Sequence, residues 1–361
     1  MRPHMAWRSE LDQEENVKTC GAAFRIVVVS LVTGLALLGS GTVHGASSAK
    51  KQLTIAFIQI GLTNPFWIDQ ARGATEAGRR LGIKVENISG NLKIADQVQR
   101  LNDAIDQHVD AIEIIPIDPT SIAPALIRAQ KAHIPTLVLY SVAPNATYIS
   151  GFDEYQSGRL VGLYAAQVLK QKFGKVQGQI AILKGQLGQT LDKTRTGGFT
   201  DVMKQYPGIK IVDAEPTDWT ADKAVALMQD WLVKYPNLTM VYGLSDTITV
   251  PAINVAQRNP QGKHILFASI DGDPIGIAAI KQGTLTCTAL YGPIYAGYRF
   301  TEMAYKMATH VSMPHINYLT SALVTTKNVN AALRMEGDMS THIHTFNFDQ
   351  TLAQALQSYS K

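Results

Sequence analysis

Cysteine is nearly absent: Cys20 and Cys287 are the only two in 361 residues. Cys20 stands ahead of an apolar segment that reads as an export signal, so it would leave with the leader. Cys287 would then be the only thiol, which excludes an intramolecular disulfide in the exported chain. Charge of one sign is also lacking. Lys and Arg total 33 against 29 Asp and Glu, a net charge of +4, and no basic cluster stands out. That argues against nucleic acid as a partner. The common catalytic signatures are missing too. There is no G-x-x-x-x-G-K-[ST] phosphate cradle, no G-x-G-x-x-G after a strand and no G-x-S-x-G nucleophile elbow. The carboxylates form no evident acid/base pair. His342 and His344 alternate as strand residues would, but no third ligand accompanies them, so no metal site is expected. Gly185 and Gly188, in KGQLGQT, could let a ligand approach the backbone, although a plain loop explains them as well. We therefore expect no catalytic residues, no cofactor and no metal, hence not an enzyme.

No apolar run is long enough to make an evident membrane span. Ile26 to Gly39, IVVVSLVTGLALLG, is too short to cross a bilayer but suits the core of a signal peptide. Arg25 precedes it, and Gly45, Ala46 and Ala49 offer cleavage points. Residues 1–50 are read as a signal peptide region, with an uncleaved anchor as the alternative. Glu10, Asp12, Glu14 and Glu15 are unusual in such a leader and leave open a later start near Val17. Either way the body faces an extracytoplasmic space.

What is present is a globular body, 46% hydrophobic and 17% charged, with room for two domains. Leu53 to Trp67, LTIAFIQIGLTNPFW, is its most informative stretch. A near-continuous apolar run reads as a strand buried on both faces. Asn64 sits where a helix N-cap belongs, Pro65 takes the first helical position, and Gly82 is the expected stop. The turn between them hands Phe66 and Trp67 to the carboxyl end of the strand, where open α/β sheets bind ligands. Two rings at such a rim waste apolar surface unless something flat lies against them.

From Lys51 onward strands and helices alternate. The apolar runs predict strands at 53–60, 84–88, 111–115, 136–140, 179–184, 209–213, 239–243, 264–269 and 285–290. Amphipathic patterns lie between most of them, such as Ile94, Val98, Leu101 and Ile105. This order signifies βαβ units in parallel sheets. Nine strands exceed one comfortable sheet, so two similar sheets are expected, with the break near Ser150-Gly151-Phe152-Asp153. A last helix is expected at about 349–357.

The ordered motifs TNPFW (63–67), DAIEIIPID (110–118), IPTLVLY (134–140), TRTGGF (194–199), PTDW (216–219), VYGLSD (241–246), ASIDGDP (268–274) and CTALYGP (287–293) carry a family resemblance. From about Leu53 to Val324 the chain resembles the type I periplasmic sugar-binding proteins, ribose-binding proteins in particular. The resemblance implies an α/β fold of two Rossmann-like domains with parallel sheets, joined by three crossing segments near Asp153, Tyr291 and Leu319. Residues 51–153 with 292–318 would form the N-terminal lobe, and 154–291 with 319–361 the C-terminal lobe. Ligand would lie in the cleft and draw the lobes closed about the hinge.

The resemblance assigns Asn64, Phe66 and Trp67 to the ligand, with rings on a sugar face and the amide on a hydroxyl. A helix cap is the rival role for Asn64, and core packing for the rings. Arg195 would reach ring and hydroxyl oxygens with its planar fork of donors; a surface ion pair is the rival. Trp219 would close the other sugar face, or merely cover the helix starting at Ala221. Asp271 would accept two hydroxyl bonds, or serve its Asp-Gly-Asp-Pro turn. Four positions depart from the ribose pattern. Tyr140 and Ser141 replace an Asp-Arg pair, Ser245 replaces an asparagine and Tyr291 replaces a glutamine. The cleft becomes more aromatic and less charged, which points away from ribose toward a polyol, a modified sugar or another small hydroxylated ligand. No counterpart of the calcium loop of galactose-binding relatives is found.

The role implied is the periplasmic solute-binding component of an ABC importer, partnered by an inner-membrane permease and acting as a monomer. The alternative is an extracytoplasmic sensor that presents the same cleft to a chemoreceptor or sensor kinase. The effector domain of a sugar-responsive repressor would need a DNA-binding helix-turn-helix, where residues 1–50 supply an apolar export signal instead.

Overall fold

Strand β1 (Thr54–Gln59) shows how the architecture is built. Ile55 and Phe57 enter one buried apolar cluster while Ala56 and Ile58 enter another, so both faces of the strand are covered. The computed structural model describes residues 52–360. The expected leader, with Cys20 and its cleavage points, lies outside them. Helix α1 (Pro65–Leu81) begins as its sequence predicts. Asn64 Oδ1 accepts the Phe66 N–H at 2.9 Å, Pro65 opens the helix, and Gly82 closes it at φ +68°.

The alternation continues through β2 (Lys84–Ser89), α2 (Ile94–Asp106), β3 (Ala111–Ile114), α3 (Ala123–Lys131), β4 (Thr136–Leu139) and β5 (Tyr148–Phe152). It then runs through α4 (Glu154–Phe173), β6 (Gln177–Lys184), α5 (Thr190–Met203), β7 (Gly208–Pro216), α6 (Ala221–Lys234), β8 (Leu238–Gly243) and α7 (Asp246–Arg258). Next come β9 (Leu266–Asp271), α8 (Pro274–Lys281), β10 (Cys287–Leu290) and α9 (Pro293–Ala308). The chain ends with β11 (Ile316–Leu319), β12 (Ala322–Thr325), α10 (Val329–Thr341) and α11 (Leu352–Ser358).

The strands form two six-stranded sheets, ordered β11-β5-β4-β3-β1-β2 and β12-β10-β9-β8-β6-β7. Every pairing is parallel except that of β12 with β10. The chain passes between sheets at Asp153, between β5 and α4; at Tyr291–Gly292, between β10 and α9; and at Thr320–Ser321, between β11 and β12. These three crossings fall where the family resemblance implies them, near Asp153, Tyr291 and Leu319.

Several expectations are corrected. Strands β5, β11 and β12 are not among the nine predicted, because Ser150 and Gly151 interrupt one apolar run, β11 is largely exposed, and only two residues separate β12 from it. Tyr140 falls just beyond β4 at φ +56°, not inside a strand. Helix α10 occupies a region with no predicted element. His342 ends that helix and His344 follows it in a turn, so their alternation is not that of a strand. His344 Nδ1 instead meets Glu76 at 2.7 Å.

Residues after β12 bind both sheet layers. Helix α10 packs against α8 of the second layer. The following segment then lies on α1 and α9 of the first, where Arg80 Nη2 donates to the carbonyls of Ile343 (2.9 Å) and Phe346 (3.0 Å). Phe348 stacks on Tyr298 with ring centres 4.1 Å apart.

Candidate functional site

The carboxyl ends of both sheets converge on one continuous set of side chains. Phe66 and Trp67, from the first turn of α1, meet edge to face at 4.9 Å, and Trp67 approaches Tyr140 at 6.4 Å. Tyr140 lies beside Phe152 at 6.5 Å, and Phe152 stacks on Tyr291 at 4.0 Å and 8°. Since Phe152 ends a strand of the first sheet and Tyr291 follows one of the second, this stack joins the layers. Arg195 lies over the Tyr291 ring, its guanidinium carbon 4.9 Å from the centroid.

Arg195 is the electrostatic centre. Its Nε donates to Glu154 Oε2 at 2.6 Å and Nη2 to Glu154 Oε1 at 3.3 Å. Nη1 donates to the Leu244 carbonyl at 2.6 Å and to Asp271 Oδ1 at 2.9 Å. Four of its five N–H groups are thus used, and one on Nη2 is left. Arg195 sits this deep because α4 and α5 pack very closely: a Cβ on Gly158 would fall 2.2 Å from the Arg195 carbonyl oxygen. Burial works against the guanidinium's charge, but Glu154, Tyr291 and Asp271 outweigh it and hold Arg195 firmly protonated. Tyr291 Oη donates to Glu154 Oε2 at 2.5 Å. Burial pushes Glu154 above the usual carboxylate range while Arg195 draws it back.

Glu154 was not singled out in the sequence. An acidic residue in the first turn of a helix is explained by the helix dipole alone, and its partner lies 41 positions away. Gln70 was missed for a similar reason; its Nε2 donates to Tyr140 Oη at 3.0 Å and orients that ring.

The other expected residues fall at the same end. Trp219, half-buried and at φ +59°, donates Nε1 to Gln189 Oε1 at 2.8 Å. Its ring covers Gly185 so closely that a Cβ there would lie 2.0 Å from Cζ2. Gly185 therefore makes room for the indole. Asp271 ends β9 at φ +106° with Oδ2 unbonded among the described residues. Asn64 has its carbonyl oxygen committed to capping α1 and its NH2 group uncommitted. Ser245 caps α7 and bonds Thr247 Oγ1 at 2.8 Å, so its hydroxyl is engaged. Ser141 Oγ is buried without a partner.

The arrangement offers flat apolar faces beside a fixed cation and one free carboxylate oxygen, Asp271 Oδ2, which suits a ligand with C–H faces and hydroxyl edges.

Comparisons with known proteins agree with this geometry. Residues 55–310 match the family described as periplasmic binding protein domain. The ribose import binding protein of Bacillus subtilis (strain 168) is 26% identical over 260 residues, covering 72% of this chain and 82% of that protein. A galactofuranose-binding protein of Escherichia coli (strain K12) is 28% identical over 261 residues, covering 70% of this chain and 81% of its own length. An ABC transporter solute binding protein from Mycobacterium smegmatis, solved with bound glycerol, superposes with a TM-score of 0.73 at 27% identity, covering 78% and 96%. With its two crossed sheets and this match over most of its length, the chain belongs to the periplasmic binding protein family, on the sugar-binding type I branch.

Proposed function

We propose that this protein is the solute-binding component of an ABC importer, exported to the periplasm by its N-terminal signal. It captures a sugar, polyol or related small hydroxylated ligand between the carboxyl ends of its two sheets. The observation that carries this reading is the unbroken path from Phe66 and Trp67 through Tyr140, Phe152 and Tyr291 to Arg195 and Asp271, which draws on both sheets at once. A ligand seated there would contact residues 51–153 with 292–318 on one side and 154–291 with 319–361 on the other. It would favour a closed arrangement of these lobes to the extent that it binds that form better. The permease would receive the closed, loaded protein. Relatives named for ribose and galactofuranose, and one holding glycerol, support a hydroxylated ligand.

Ribose itself fits poorly. Tyr291 donates its hydroxyl to Glu154, and Tyr140 accepts from Gln70. These two replacements for family polar groups are turned toward protein partners. A thermal-shift screen of sugars, polyols and sugar derivatives tests the reading. A true ligand at 100 times its Kd should add about 2.7 kcal/mol of stability. A blank across hydroxylated compounds would contradict it.

A further inference from the structure

The carboxylates around Asp271 outnumber the cations that could answer them. Asp273, two residues beyond β9, is 5% exposed, and its side chain does not cap the helix it precedes. Its backbone N–H donates to Asp246 Oδ2 at 2.8 Å, while its own Oδ2 is buried without a partner. Asp246 is already committed, since it also takes Thr288 Oγ1 at 2.9 Å and packs against Gly276.

A second unpartnered carboxylate oxygen arrives from α10. Helix α10 packs on α8, with Lys281 bonded to Asn330, and its Glu336 acts electrostatically on Asp273. Gly272, next to Asp273, packs on Leu290, two positions before Gly292. Glu336 Oε1 is buried and unpaired and lies against Gly292, the crossing residue, where a Cβ would come within 3.6 Å of it. One turn on, the Ser340 carbonyl accepts Arg72 Nη2 at 2.7 Å, and Arg72 Nη1 holds Asp69 at 2.6 Å. The Asp69 face of α1 therefore meets the Glu336 face of α10.

We propose that the ligand carries a protonated amine beside its hydroxyls, held by Asp273 and Glu336, a specificity that presupposes the solute-binding role above. Buried carboxylates without partners are costly while charged. Arg195 answers Glu154 and Asp271, and Arg72 answers Asp69, so neither answers this pair. Without ligand the pair relieves its charge with protons. Burial, then the charges of Asp271, Asp246, Glu336 and Asp69, push Asp273 far above the carboxylate range. Burial and Asp69 push Glu336 up to about 8. An ammonium entering the site would displace those protons to the buffer.

Calorimetric titration of the full chain with matched neutral, amino and carboxylate forms of hexoses, inositol and hexitols tests this. The amino member of a binding series should be about 10- to 150-fold tighter than its hydroxyl counterpart, the range of one or two charge-assisted bonds. It should also release protons, read as a dependence of the binding heat on buffer ionisation enthalpy. Asp273→Asn and Glu336→Gln, both nearly isosteric, should erase the ratio. Neutral members binding as tightly as amino ones would overturn the amine assignment and leave the solute-binding role standing, and so would a preference for the acids. No binding in any series would overturn both. The wild-type ratio decides the matter even if a variant fails to fold.

Discussion

Arg195, proposed above as a ligand contact, is equally a structural residue, bonded to Glu154, Asp271 and the Leu244 carbonyl. Removing it would leave the Glu154 and Asp271 carboxylates without their cation in a buried site, and losing one partner of a buried pair costs about 3–5 kcal/mol. Arg195→Ala should therefore lower unfolding stability by about that amount in chemical denaturation; a loss below about 1 kcal/mol would show the network to be dispensable. Gly185→Ala makes a separate prediction. Its Cβ would land 2.0 Å from Trp219 Cζ2, so the indole must move. We expect a change in tryptophan emission and weaker ligand binding, with an overpacking cost of about 1–3 kcal/mol. Unaltered emission and affinity would mean that Trp219 does not form part of the site. At this scale the legible residues were those whose chemistry is local. Asn64, Pro65 and Gly82 are recognisable because caps and helix starts are specified within a few positions. Glu154, Gln70 and Gln189 were not, because each acts on a partner distant in sequence. The positive φ of Tyr140 was equally hidden, since nothing local announces it.

Among the elements, the segment after β12 is the least expected. Helix α10 buries Val329, Ala331, Ala332, Met335 and Met339, a stripe made partly of alanines and therefore faint in a hydropathy pattern. Its docking on α1 gives a pH-dependent prediction. Burial tends to raise the Glu76 carboxyl, but hydrogen bonds from Arg79, Arg80 and His344 outweigh it and hold the group at about 2, against an ordinary 4.5. A depressed native pKa contributes stability above the unfolded value and loses it as pH falls through the native one. Glu76→Gln should thus cost about 2–3 kcal/mol at pH 6, and the gap to wild type should close between pH 4.5 and about 2. A gap that persists at pH 2 would show that Glu76 acts through packing alone. Glu113 behaves in the opposite sense. Burial raises it to about 8, partly offset by Thr301, and its Oε2 is unpartnered. The native state then holds a proton that the unfolded chain gives up above pH 4.5, so stability falls as pH rises toward 8. Glu113→Gln should flatten that decline in melting temperature between pH 5 and 8, and an unchanged slope would contradict it.

Over the whole molecule, the alternation of strands and helices made a two-sheet α/β fold readable from periodicity, because strands buried on both faces are continuous apolar runs. The family resemblance implied the crossings near Asp153, Tyr291 and Leu319, which no periodicity contains. The reversal of β12 was not legible, as four residues carry no direction. The central claim is that one ligand engages both sheets and draws them together. Small-angle X-ray scattering of the full chain, alone and saturated with a compound found by thermal shift, tests this most directly. A smaller radius of gyration with ligand is the predicted result. An identical scattering curve at saturation would contradict closure and leave the protein a rigid binder.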